Sequence, residues 1–472
     1  MSDTYNRTHA HRCHSRSQPL AAGCHRNARR APRPGAELTN ANKLGPIWLQ
    51  QGVTARNALT FFYASFFTIG MVSFMSFMQP YVINENLKIP ADAQGGVTAI
   101  LHFSYEFVLL VLIAPLGALS DKIGRRTIYR LGFLWVGVAL AVFPMAHTMV
   151  QLVMGRIFFA VGAAMITAML ATVLADYPQD RSRGKMVAGV GIANGAGAVT
   201  MVILLSQLPA WFSSMGYTTL MSGRFTYWVG TGLCLITAII VGRGLMAGKP
   251  GRPQERQPLV RLLQEGLQEV RKNPRIAVAC MGAFVARGDV VMIATFLSLW
   301  ANQAGIAVGL SQEEAIAKAA LVVAIVHVSS LVWAPVWGIV LDRVDRVSAV
   351  ALGMGLAAAA YIWVGLSPNP IATAFIPAAI MLGIGEFSAM LSGAALVGQE
   401  APVDIRGSVL GVFNVCGSIG ILCVTLVAGY IFDAWMPGGA FVAVGMINLC
   451  VCAVAIMVRR KVGYRSPRGE LV

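Results

Sequence analysis

Charge is scarce in this sequence of 472 residues. Asp, Glu, Lys and Arg together make up 12% of it, about half the share of an ordinary soluble chain. Hydrophobic residues make up 56%, and the mean hydropathy is +0.65. That balance excludes a soluble globular domain. No G-x-x-x-x-G-K-[ST] loop occurs, and no polar region is long enough for an ATPase domain, so nucleotide hydrolysis is excluded as a source of work. No apolar core of the kind a cleavable signal needs occurs in residues 1–57, which predicts that the first long apolar segment itself directs insertion. Cysteine spacing suggests neither a disulfide framework nor a zinc site. Cys234, Cys280, Cys416, Cys423, Cys450 and Cys452 lie in or beside apolar segments and read as small hydrophobes.

What the sequence does contain is a series of apolar runs of about 20 residues, the length a helix needs to cross a bilayer. Twelve are read, at roughly 58–83, 96–119, 129–147, 149–175, 186–207, 226–247, 276–301, 319–341, 347–366, 371–397, 408–430 and 439–458. They do not alternate in the short register of a membrane barrel strand. The expectation is an all-α membrane protein with twelve transmembrane helices.

A net charge of +16 invites a nucleic-acid reading, but its distribution argues otherwise. Of the 37 Lys and Arg, 32 fall in the two terminal segments and the loops on their side. The opposite loops hold Lys88, Arg224 and Lys318, and the apolar segments hold Arg156 and Arg287. This asymmetry predicts that both termini are cytoplasmic. The partner implied is the lipid bilayer, not nucleic acid. Trp211, Tyr217, Phe225, Tyr227 and Trp228 are placed as an interfacial aromatic belt at the outer surface.

The most specific motif is Gly117-Ala118-Leu119-Ser120-Asp121-Lys122-Ile123-Gly124-Arg125-Arg126, between the second and third runs. It resembles the cytoplasmic loop signature of the major facilitator superfamily, G-x-x-x-D-[RK]-x-G-[RK]-[RK]. Every position of that signature is filled. The resemblance implies a secondary transporter built of two pseudo-symmetric six-helix bundles, and a latch role for Gly117, Asp121, Lys122, Gly124, Arg125 and Arg126. A weaker copy follows at Gly338, Asp342, Arg343 and Arg346, with Asp345 in place of the glycine and Val347 in place of the last basic residue. Arg183-Gly184 and Gly197 recur likewise as Arg406-Gly407 and Gly420.

The domain reading follows. Residues 1–57 form a basic disordered cytoplasmic tail. Residues 58–247 form the N-terminal bundle and 276–458 the C-terminal bundle. Residues 248–275 form a cytoplasmic linker, where Leu259, Leu262, Leu263, Leu267 and Val270 recur at the spacing of an amphipathic helix. Residues 459–472 form a second tail. In the first tail His9, His11, His14 and His25, with Cys13 and Cys24, match no structural zinc spacing. No metal and no cofactor are predicted, and no nucleophile–base constellation suggests an enzyme.

A charge inside the bilayer costs several kcal/mol unless it faces a cavity or a partner. Seven titratable residues therefore stand out. Arg156 opens a partial match to the family's helix-4 pattern R-x-x-Q-G-x-G-x-A, with Phe159 and Ala160 at the Gln and Gly positions. His102 and Glu106 share one face of the second helix. Arg287 and Asp289 sit two apart around Gly288; either each has its own partner, or Gly288 marks a break that lets both line a cavity. His327 and Glu386 stand alone among apolar neighbours. These seven are the candidates for proton coupling and substrate binding, with Glu106 first among the acids. Arg156 and Arg287 incline the substrate towards an anionic or amphipathic organic solute. The expected function is proton-coupled alternating-access transport by a monomer in the cytoplasmic (inner) membrane. The alternatives are a hydrophobic drug efflux antiporter, against which the fifth helix lacks the family's Gly-Pro antiporter pair, and a transporter-fold sensor or assembly protein without flux.

Overall fold

The computed structural model describes residues 43–248 and 259–464. The histidines and cysteines of the first tail lie outside these residues.

Among the described residues twelve helical spans are long and apolar enough to cross a membrane. In the first span α1 (Ala55–Phe77) is followed by a short α2 (Gln79–Glu85). The break falls there because Pro80 has no N–H to continue the helix. Spans two to six are α3 (Gln94–Ile123), α4 (Arg125–Val142), α5 (Met149–Asp176), α6 (Arg183–Ser214) and α7 (Thr219–Gly244). The linker helix is α8 (Leu259–Lys272). The seventh span is α9 (Pro274–Val291), a π-helical turn (Met292–Leu297) and α10 (Ser298–Ala307). Spans eight to twelve are α11 (Gln312–Arg343), α12 (Arg346–Leu366), α13 (Ile376–Glu400), α14 (Arg406–Ala434) and α15 (Pro437–Val462). Several run past their apolar windows because polar side chains finish the helix outside the hydrocarbon. Capping side chains start others: Thr54 with Asn57, and Ser311 with Glu314, form reciprocal capping boxes.

The helices pack as two bundles of six. α1 packs on α6, α3 on α5 and α4 on α7; the second bundle repeats this as α9 on α14, α11 on α13 and α12 on α15. The repeated glycines show why. A Cβ at Gly197 would overlap the carbonyl oxygen of Phe66, and one at Gly420 the carbonyl oxygen of Phe284. Each bundle thus closes its first helix backbone-to-backbone against its fifth, which only glycine permits.

Contact between the bundles is uneven. α3 meets α14, and α6 meets α11. Near Asp433 the approach is close: Gly95 and Ala99 of α3 lie against Gly429 of α14. At the other end, which carries Asp121, a Cβ added at Gly117, Gly184, Gly338 or Gly407 would meet nothing within 4 Å. The four helices that flank the interface therefore enclose a cleft that opens at the Asp121 end.

Within the segment 1–57 expected to be a disordered tail, the residues from Lys43 onward are folded. Strands β1 (Lys43–Leu44) and β2 (Ile47–Trp48) form a small hairpin. The Trp48 ring lies between the Lys43 ammonium and the Arg181 guanidinium, each 3.5 Å from its centroid. The Gln179 and Ser182 side chains and backbone bind Trp48 and Leu49, and Gln50 N–H donates to the Tyr177 carbonyl. Burial pushes the Tyr177 phenol up to about 12; its oxygen accepts the Met246 N–H. The segment reads as a tail in sequence because its anchors are backbone groups and stacked cations, which leave no apolar run.

In the linker, Leu259–Lys272 form α8, which is not simply laid on a surface. Gly266 packs on the Ser408 backbone of α14, and Glu265 accepts from the Ser408 hydroxyl at 3.4 Å. Leu267 is exposed.

Candidate functional site

Gly124 turns α3 into α4 with φ +93°, a conformation that glycine adopts without strain. The turn aims Arg125 back along the helix ends. Its guanidinium pairs with Asp121, donates to Ser120 at 2.7 Å and donates through Nε to Asp176 of α5 at 2.9 Å. The signature loop thus welds three elements of one bundle. Lys122 is exposed, and Arg126 is half-buried.

The second copy differs in kind. Arg346 reaches the exposed Asp342 at 3.7 Å, and Arg343 is exposed. The buried network belongs instead to Asp345, the residue that replaces the glycine. Its Oδ1 caps α12 by accepting the Val347 and Ser348 N–H groups. Its carboxylate also pairs with Arg275 at 3.2 Å and Arg459 at 3.4 Å, and Arg275 lies 3.6 Å from Glu400. Sequence reading missed Asp176, Arg275, Asp345 as a charge centre, Glu400 and Arg459. The one available signal was the position of Asp176 and Glu400, each ending the fourth helix of its bundle.

At mid-height the candidate residues separate into three groups. The first is in the N-terminal bundle. Arg156 of α5 is 0% exposed. One Nη donates to Ser76, on the last turn of α1, at 3.0 Å, and lies 3.4 Å from His102 Nε2. Its plane faces the rings of Tyr105 and Phe159. Its Nε and other Nη, both buried, have no hydrogen-bond partner among the described residues, nor have the Tyr227 hydroxyl, the Thr98 hydroxyl and the Gln79 amide. A guanidinium only donates, so His102 Nε2 must present its lone pair, and the proton of the neutral ring sits on Nδ1. The same Nε2 lies 2.6 Å from the Thr295 hydroxyl, in the π-helical turn of the other bundle. That turn shifts the register of the seventh span at the point where it meets His102, and sequence periodicity carried no sign of it.

The second group faces the cleft. Arg287 of α9 donates to the exposed Asn414 of α14 at 2.7 Å, and its stem crosses Gly417. Glu106 lies across the interface, beside Ser418 of α14. His102 and Glu106 share a helix face as expected, yet each serves a different partner.

The third group lies inside the C-terminal bundle. Asp289 is 0% exposed; the Asn448 amide donates to both its oxygens at 3.2 Å. Arg287 and Asp289 therefore have separate partners, and Gly288 is no break: it packs on Val424. Glu386 is buried and accepts from Ser330 of α11 at 3.3 Å. His327 is half-buried on α11 and joins none of these groups. The described cysteines are all free.

Comparison with known proteins gives a consistent picture. The sequence profile of the Major Facilitator Superfamily matches residues 60–421 and 312–470. Magnetosome protein MamH of Paramagnetospirillum magneticum is 27% identical over 392 residues, 81% of this chain and 88% of MamH. Magnetosome protein MamZ of the same organism is 26% identical over 390 residues, 80% of this chain but 59% of MamZ, so this chain spans about three fifths of that relative. Among solved structures, a POT family transporter in complex with 5-aminolevulinic acid superposes with TM-score 0.67 at 13% identity, over 89% of this chain and 98% of that one. At such identity the likeness is one of fold.

Proposed function

The chain belongs to the Major Facilitator Superfamily, and from that membership and the charges at its centre we propose that it moves a small organic anion across the cytoplasmic membrane by proton-coupled alternating access. It is a multi-pass membrane transporter rather than an enzyme. The observation that carries the substrate reading is Arg156. A fully buried guanidinium with two unpartnered nitrogens and no carboxylate beside it is costly in a medium of low dielectric. The donors around it suit the carboxylate or phosphate of a solute. Arg287 in the cleft supplies a first contact for such a solute.

The excess of Lys and Arg on the terminal side supports cytoplasmic termini. On that orientation the cleft opens inward. The protein acts as a monomer, because one chain supplies both bundles and the cleft between them. The Asp121–Arg125–Asp176 cluster, formed within one bundle while that end is open, holds the loop that serves as a latch when the cytoplasmic end closes.

Purified protein in liposomes tests this. Uptake of anionic solutes should exceed that of neutral and cationic ones and should rise with an imposed pH gradient. Gradient-independent flux, or none from a broad panel, would overturn the proposal. A second reading comes from the relatives named as magnetosome proteins, matched over most of this chain: an assembly or sensing role without flux. Co-fractionation with magnetosomes together with absent flux would favour it.

A further inference from the structure

The interiors of the two bundles carry uncompensated charge of opposite sign. In the N-terminal bundle Arg156 is buried beside a histidine and two aromatic rings, and it forms no ion pair among the described residues. In the C-terminal bundle Asp289 and Glu386 are buried, and neither pairs with a Lys, Arg or His among the described residues. Each bundle places its residue of the other sign, Glu106 or Arg287, at the interface.

We infer that the C-terminal bundle holds the coupling proton, on Asp289 with Asn448 and Glu386 around it, apart from the anion site at Arg156. The inference rests on the transport reading and reverses the order expected from sequence, where Glu106 came first. Glu106 is 8% exposed at the interface, beside Ser418 of α14. Asp289 is 0% exposed and pairs with no cation among the described residues. The Asn448 Nδ2 group serves both its carboxylate oxygens and also the Val444 carbonyl at 3.1 Å, so hydrogen bonding to the charge is thin. A buried carboxylate so placed is costly unless a cation joins it. The groups around it add none. From α12 comes the Tyr361 phenol, which donates to the Asp289 backbone carbonyl at 2.8 Å. From α13, which packs on α9, comes the Glu386 carboxyl. From α14 the titratable neighbour of α9 is the Cys416 thiol beside Cys280. From α15 comes the Asn448 amide alone, with its own Oδ1 buried and without a partner. Binding forms one O–H bond between a proton from water and an Asp289 oxygen and cancels one negative charge; release reverses it. Glu386 is buried in the same bundle and accepts from Ser330 of α11.

The test uses the full chain in lipid. Infrared spectra at neutral pH should show a deuterium-sensitive carbonyl band of a protonated carboxyl, lost in Asp289→Asn and kept in Glu106→Gln. This readout needs no substrate, so it stays decisive if no flux is found. In liposomes Asp289→Asn should lose at least tenfold of pH-driven accumulation (about 1.4 kcal/mol per tenfold) while substrate counterflow stays within about twofold. Asn448→Leu, which removes the amide that supports the charged form, should keep the band to more alkaline pH. A band unmoved by Asp289→Asn or by Asn448→Leu would overturn the inference, as would undiminished pH-driven accumulation in Asp289→Asn. Uptake driven by a sodium gradient in place of the pH gradient would also overturn it.

Discussion

The carboxylate of Asp433 caps the first turn of α3, which begins at Gln94 in the other bundle. Its Oδ1 accepts the Gly95 N–H at 2.7 Å and its Oδ2 the Gly96 N–H at 2.6 Å. The first turn of a helix has free N–H groups and the positive end of the dipole, so a carboxylate there is doubly favoured. Asn84–Gln312 and Gln94–Gln303 hydrogen bonds flank this cap. It ties the bundles at the end opposite Asp121.

Asp433→Asn should therefore loosen that end. An amide keeps one acceptor and turns a donor towards an N–H. Loss of a charge-assisted bond is worth about 2 kcal/mol, or roughly a 30-fold rise in the open-to-closed ratio at that end. Distance distributions between spin labels placed across it report the change. An unaltered distribution would show that the flanking amides suffice.

Asp121→Asn should leave the fold intact, because Arg125 retains Asp176 and Ser120. Transport should fall at least tenfold, since the loop loses the charge with which it latches. Uptake normalised to purified protein in the membrane checks this, and wild-type flux would reduce the loop to a topology anchor.

Arg156→Gln separates binding from stability. Removing a buried charge with unpartnered nitrogens should leave the melting temperature unchanged or raise it by a few degrees. Anion uptake should fall by about tenfold or more. A large loss of stability would mean that Arg156 holds the bundle together through Ser76 and the aromatic rings.

Gly197→Ala and Gly420→Ala should each destabilise the protein by about 3 kcal/mol, at the upper end of the range for overpacking. The added methyl meets a backbone carbonyl, which cannot rotate away as a side chain can. Gly195→Ala, where the nearest atom would lie 3.8 Å away, is the control and should be neutral. Thermal unfolding in detergent distinguishes them.

Hydropathy alone determined the twelve spans, because crossing a bilayer demands an apolar length that few other structures share. The loop from Gly117 to Arg126 and the glycine pair Gly197 and Gly420 were legible too, since a tight turn and a close helix crossing each demand specific small residues. Pairing among the buried charges was not legible. Periodicity tells which face of its own helix a residue occupies, and it placed His102 with Glu106 and left Arg287 and Asp289 open. The partners come from elsewhere in the chain: Thr295 is 193 residues from His102, Asn448 is 159 from Asp289, and Asp433 is 338 from Gly95. Only the packing of the helices brings such groups within hydrogen-bond reach, so only the tertiary structure decided which buried charges are compensated and which remain open to a ligand or a proton.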